Sequence, residues 1–304
     1  MTDFCPPPLC RLCASAESGA ACGEDGAGAL VAEAVRHINE QHEHGFKFKL
    51  RRVLDSKYQQ VFGGCRVDAS LKLVQTKCHV TNPKPHQECV PFRLDERGAV
   101  ATCSVSLDVV SGVATVRKHR CATRPEHTNA EMAWICPDCP MLSPLDDPMG
   151  VKAAHQAVLK FNRESKHRNY FTLMEVSQIT GGYIMTIGML TWLKLALVET
   201  DCPRHAENTF APCAPRCSDQ ASHVFCQATY YNWQDQIGEL GCEFYPPRNS
   251  ASRSPGMPKP KCRPLFHESR EGFACKAQLG IRQPVIHHIC PFPLIVQQPQ
   301  WVKG

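Results

Sequence analysis

The sequence predicts an α+β protein built as two tandem copies of one disulfide-stapled unit, each a single helix followed by an antiparallel sheet that wraps it. Three observations carry this. A cysteine pattern occurs twice: Cys78, Cys89, Cys103 and Cys121 return as Cys202, Cys213, Cys226 and Cys242, displaced by 124, 124, 123 and 121 residues. The first-to-second spacing is 11 in both sets, and the third-to-fourth spacing is 18 and then 16. Offsets kept this closely point to an internal repeat. A helical apolar stripe precedes each set, and segments of alternating apolar character follow each stripe.

In the first copy Leu30, Ala34, Val35 and Ile38 fall on one helical face, and Gly45 is expected to stop the helix. In the second, Val151, Ala154, Val158 and Phe161 do the same, with Asp147 as N-cap and Pro148 at the first helical position. Strand signals come next, over Phe46 to Leu54 and Tyr170 to Ile179. Longer strands, Arg66 to Val80 and Met189 to Val198, run toward the first cysteine of each set. The longest apolar run, Tyr183 to Val198, is interrupted by Lys194 and is short for a membrane span. It reads as a strand with Met189, Leu193, Leu195 and Leu197 on one face. The last two cysteines of each set bracket a further hairpin, Val100 to Cys121 and Val224 to Tyr245.

The 304 residues suffice for two ordinary domains and a tail, and 43% hydrophobic residues can build real cores. The expected division is a leader over 1–21, domains over 22–135 and 147–245, a linker over 136–146, and a tail over 246–304 that is Pro-rich and closed back by a disulfide. Nineteen cysteines imply an oxidising compartment, hence a secreted, extracellular protein. Ala14-Ser15-Ala16 resembles a signal-peptidase site, although Pro6-Pro7-Pro8 and Arg11 break the apolar region before it. Cleavage there would remove Cys5, Cys10 and Cys13 and leave 16, an even number. The net charge of +5 is mild, and no block of like charges is long enough to suggest a nucleic-acid or membrane partner. No Asn-x-Ser/Thr sequon occurs. No Ser-His-Asp set, paired catalytic carboxylates or phosphate loop is visible, so neither an enzyme nor a cofactor is expected, and a monomer is.

One helix, a wrapped sheet and two consecutive late disulfides resemble the cystatin fold. Two such units joined by Cys136-Pro137-Asp138-Cys139-Pro140 resemble the fetuin family of the cystatin superfamily. Further resemblance lies in Thr76-Lys77-Cys78-His79-Val80, in Lys152-Ala153-Ala154 through Phe161-Asn162, in Phe225-Cys226-Gln227-Ala228 and in Cys290-Pro291. It covers roughly residues 22 to 245. The resemblance implies the disulfides Cys78–Cys89, Cys103–Cys121, Cys136–Cys139, Cys202–Cys213 and Cys226–Cys242, and a long clasp from Cys22 to Cys290. Cys65, Cys217, Cys262 and Cys275 depart from the family pattern, and their pairing stays open.

The linker is the sharpest candidate site. A disulfide between Cys136 and Cys139 would close a very small ring stiffened by Pro137 and Pro140, holding the Asp138 carboxylate outward. A carboxylate so held can take the open position of a protease zinc and displace its water. The resemblance implies this use, against astacin-type metalloproteinases. The alternatives are a redox pair, which needs a βαβ context that is absent, a zinc ribbon completed by Cys10 and Cys13, and a plain staple between domains.

A second candidate is Gln59-Gln60-Val61-Phe62-Gly63, which resembles the hairpin that cystatins wedge into papain-like cysteine proteases. Gly23, Gly26 and Gly28 could form the accompanying N-terminal segment, and the turn near Val109 to Val113 the second hairpin. Gln178-Ile179-Thr180-Gly181-Gly182 looks similar but is out of register. A third reading, also implied by the resemblance, is a carrier of calcium phosphate. The matching strand, Arg66 to Leu73, offers one carboxylate against two cations, a poor calcium array.

Overall fold

The stripe Leu30, Ala34, Val35 and Ile38 is the buried face of helix α1 (Ala27–Gln41). The protein is seen here as a computed structural model, which describes residues 26–42, 44–145, 147–204, 215–216 and 220–247. The helix ends short of Gly45, with His42 as its extended C-cap. Gly45 has φ 68°, left-handed backbone that suits a residue without Cβ, and it turns the chain into the first strand.

Strands β1 (Phe46–Val61), β2 (Gly64–His79), β3 (Ala99–Val110) and β4 (Val113–Pro125) form an antiparallel sheet in that order. Phe48, Leu71, Leu73, Cys103, Val105 and Leu107 pack with α1 in one core. Full burial of such side chains stabilises by about 1.5–3 kcal/mol each, which holds the helix to this face. Three register shifts in β1 bend it around the helix. This strand runs on past Leu54, where the sequence pattern stops. Its residues 50–60 are exposed on both faces, so no burial alternation marks them.

The second unit repeats the plan. Helix α3 (Pro148–Glu164) lies on a sheet ordered β5 (Met141–Ser143), β6 (Asn169–Ile184), β7 (Gly188–Pro203), β8 (His223–Tyr231) and β9 (Gln236–Tyr245). The Asp147 carboxylate accepts from the Gly150 N–H at 2.9 Å, capping the helix ahead of Pro148. The helix comes close to the sheet at Gly150, where a Cβ would meet Ile179 Cδ1 at 2.4 Å. Ala153, Ala154, Ala157, Val158 and Phe161 complete the buried face, whereas Val151 is half-buried. The run Tyr183 to Val198 is not one strand. Met185 to Ile187 form a turn inside it, and Tyr183 and Ile184 end β6. Apolar side chains continue through that turn, which concealed it.

The repeat extends to single hydrogen bonds. The Asn39 side chain pairs with both backbone groups of Phe48, at 2.7 and 2.9 Å, and Asn162 does the same with Phe171, at 2.8 and 2.7 Å. Thr76 and Thr200 each donate to a β1 or β6 carbonyl at 2.8 Å and accept from the N–H of Cys78 or Cys202 at 3.3 Å. A short helix, α2 (Asn129–Ile135), separates the units.

The two units meet across Phe46, Phe225 and Tyr245, with Phe92 packed against them. Asn82 donates to the Tyr245 hydroxyl at 2.9 Å, and Gln178 donates to the Arg97 carbonyl at 2.9 Å. At the centre of the interface is the Glu175 carboxylate, with no solvent exposure. One oxygen meets the Gly45 N–H, His79 Nε2 and the Ser177 hydroxyl, each at 2.7 Å. The Thr81 N–H donates to His79 Nδ1 at 3.2 Å, so Nε2 carries the proton given to Glu175. His79 stacks on Phe225, and burial pushes the Lys194 ammonium, over the Phe92 ring, down to about 8. No helix among the described residues is long and apolar enough to cross a membrane.

Candidate functional site

The linker stands on a built base. Thr128 caps α2 by accepting from the Glu131 N–H at 3.2 Å, while the Glu131 carboxylate accepts from the Thr128 N–H at 2.7 Å. Fully buried Met132 anchors the helix, and its carbonyl accepts from the Cys136 N–H at 2.8 Å. The Asn129 side chain then pairs with both backbone groups of Leu142 at 2.9 Å, tying the start of α2 to β5. The buried Arg97 guanidinium donates to Pro140 O, His127 O and Asn129 Oδ1 at 2.9, 3.0 and 3.2 Å. Burial lowers its pKa, and these three oxygens offset the cost of placing a cation there.

On this base the Cys136–Cys139 disulfide closes the ring, with the Cys139 N–H donating to the Cys136 carbonyl at 3.0 Å. Cys139 is buried and Pro140 half-buried, while Pro137 and Asp138 are exposed. Asp138 makes no hydrogen bond or ion pair among the described residues, so its carboxylate is available to a partner. Trp134, 90% exposed, and Ile135 lie just before the ring.

β5 pairs Met141 with Gly181, which sets the ring beside the β6–β7 hairpin. A Cβ on Gly182 would lie 4.0 Å from Pro140 Cα. The hairpin tip is apolar and open: Tyr183, Met185 and Met189 are exposed, as is Trp233 on the adjoining β8–β9 turn. Gly188 (φ 92°) approaches Trp233, 3.8 Å from where its Cβ would be. Gln178-Ile179-Thr180-Gly181-Gly182 is not part of this tip. Gln178 is buried against the Glu96 and Arg97 carbonyls.

In the first unit, Gln59, Gln60 and Val61 end β1, and Phe62 and Gly63 form the turn. Phe62 is wholly exposed, and Gly63 takes φ 77°. The β3–β4 turn, with Ser111 at φ 51° and Gly112 at φ 78°, is beside it, since Gly64 pairs with Val110. Val110 and Val113 are exposed there. Of the glycines expected to form an N-terminal segment, Gly28 is inside α1 and Gly26 is its N-cap; Gly23 is outside the described residues.

Disulfides join Cys78 to Cys89, Cys103 to Cys121 and Cys226 to Cys242. Cys65 and Cys202 are also disulfide-bonded. The expected partner of Cys202, which is Cys213, lies outside the described residues, as do Cys22, Cys217, Cys262, Cys275 and Cys290. No group of three or more His, Cys, Asp or Glu suited to a metal occurs among the described residues.

A cystatin-domain model matches residues 139–233. Chimpanzee (Pan troglodytes) alpha-2-HS-glycoprotein is 27% identical over 202 residues, 66% of this chain and 53% of that protein. Human (Homo sapiens) fetuin-B is 24% identical over 275 residues, 87% and 70% of the two chains. Mouse fetuin-B, solved in an inhibitory complex with human meprin beta, superposes with a TM-score of 0.60 at 21% identity, covering 75% of this chain and 74% of that one. It has also been solved in complex with crayfish astacin, with a TM-score of 0.58, 21% identity and coverage of 77% and 69%. The chain is similar in sequence to alpha-2-HS-glycoprotein and fetuin-B, and its fold is that of fetuin-B. It spans about half the length of the alpha-2-HS-glycoproteins it matches. Within this fetuin fold, sequence reasoning passed over Trp134, the Tyr183–Met185 tip and Trp233. The capping box Thr128-Asn129-Ala130-Glu131 would have revealed α2, and with it the base of the ring.

Proposed function

We propose that this chain is a secreted inhibitor of astacin-type zinc metalloproteinases, acting through Asp138. The observation that carries the reading is an exposed carboxylate on a small disulfide ring whose base is fixed by Asn129 and Arg97. A ring already ordered loses little conformational entropy on binding. The Asp138 carboxylate would occupy the open zinc position, excluding the catalytic water. The apolar β6–β7 tip beside the ring would fill the protease cleft next to it. The complexes of mouse fetuin-B with meprin beta and astacin support the choice of protease class.

The test is a titration of the purified chain against an astacin-type proteinase and papain in parallel. Stoichiometric loss of metalloproteinase activity with papain untouched is the expected result. An unaffected metalloproteinase would remove this reading.

A second reading is cysteine-protease inhibition by Gln59-Gln60-Val61-Phe62-Gly63. It is favoured by one observation: wholly exposed Phe62 projects beside a second turn bearing Val110 and Val113. On this reading Phe62→Asp abolishes papain inhibition, because a charge would have to be buried in an apolar cleft. Papain inhibition that survives Phe62→Asp assigns the activity elsewhere.

A further inference from the structure

We propose that the outer face of the first sheet binds a linear sulfated polysaccharide. Strand register gathers there what the sequence scatters. Lys118 pairs with Ser106, which pairs with Asp68, which pairs with Lys57. In the next row Arg120 pairs with Ser104, Ser70 and Asp55 in turn. Directly paired residues share a face of a sheet. The alternate residues Ala69, Leu71, Val105 and Leu107 face α1, so these rows point outward.

The rows line a shallow groove of about 410 Å³, its floor made by the hydroxyls of Ser70, Ser104 and Ser106. Rows on either side add cations. Arg52 pairs with Lys72 at one end, and at the other Arg66 and Arg117 hold Asp108 between them at 3.0 and 3.3 Å. These rows thus carry seven cations against three carboxylates. Among the described residues Lys57, Lys72, Lys118 and Arg120 enter no ion pair.

The mixture of groups selects the ligand. Unpaired Lys and Arg beside hydroxyls suit sulfate esters, which carry charge and several acceptor oxygens. Asp55 and Asp68 suit the same chain's sugar hydroxyls, as acceptors, but would repel a continuous phosphodiester backbone. No aromatic side chain lies in the groove lining to stack a base, and its two apolar members, Ala69 and Val105, are packed in the α1 core and offer nothing to enter a bilayer. The site shares no residue with the linker, so it does not depend on the inhibitor reading.

The experiment uses the full chain and heparin, by calorimetric titration at several salt concentrations. The pair Lys118→Gln and Arg120→Gln is expected to weaken binding by about 10-fold or more, and to reduce the slope of log K against log salt by about two, as counterion release requires. Lys166→Gln with Arg168→Gln removes the same charge from the second unit and is expected to change binding by less than about 3-fold. Ser104→Asp keeps every cation but puts a carboxylate on the groove floor, and should weaken binding as strongly as the first pair. Equal losses from both double variants would mean a net-charge effect and overturn the proposal. So would full binding by Ser104→Asp, retention of desulfated heparin, or duplex DNA binding as tightly as heparin.

Discussion

Replacing Glu175 by leucine is expected to destabilise the folded chain by about 3–5 kcal/mol, the range for breaking a buried polar cluster by removing one partner. The carboxylate is sealed between the units and takes three hydrogen bonds of 2.7 Å. Leucine would leave the Gly45 N–H and His79 Nε2–H buried without acceptors, and each orphaned donor costs about 1–3 kcal/mol. Glu175→Gln keeps an acceptor oxygen for these donors and should cost only about 1–2 kcal/mol. Guanidinium unfolding reads both variants, with the leucine variant moving the midpoint well below that of glutamine. Because Gly45 and His79 belong to one unit and Glu175 to the other, the bonds form in one mutual orientation only. A leucine variant within about 1 kcal/mol of the parent would show that the interface admits water in solution.

That interface could not be read from the chain, and the reason is physical. Glu175 and His79 are 96 residues apart, and nothing local marks a glutamate that will be buried. Periodicity reports burial against an element's own sheet, so it found Leu30, Ala34, Val35 and Ile38, and the faces of the long strands. It failed where burial does not alternate. Residues 55–60 of β1 are exposed throughout and lie beyond the strand the pattern predicts, and the turn at Met185 reads as strand because its residues are apolar. The ring was legible because its residues are contiguous. Its support was not: Arg97 arrives from the β2–β3 connection, and Asn129 from a helix of seven residues. The cationic face is not legible in the chain either, since its charges lie on four separate strands and only strand pairing gathers them.

Asp138→Ala is expected to weaken metalloproteinase inhibition about a thousandfold, while opening the ring with Cys136→Ser and Cys139→Ser costs about 10- to 100-fold. The two losses have different origins. A carboxylate on zinc supplies several kcal/mol of direct interaction, and about 4 kcal/mol is a factor of a thousand. The serine pair keeps that carboxylate and removes only the constraint. Ordering a few freed residues again on binding costs about 1–2 kcal/mol of backbone entropy for each. The Asn129–Leu142 pairing and the Arg97 contacts still close the base, so part of the order survives. Stability should respond in the opposite sense. A disulfide across so short a loop contributes about 2 kcal/mol on the chain-entropy model, whereas Asp138 is exposed and its replacement should move the unfolding midpoint little. Inhibition constants and unfolding midpoints measured on the same three proteins separate the roles. If the serine pair inhibits as well as the parent, the base alone holds the loop. If Asp138→Ala retains full potency, the zinc-directed reading fails, and the apolar tip around Tyr183 and Met185 becomes the part of the surface that must account for binding.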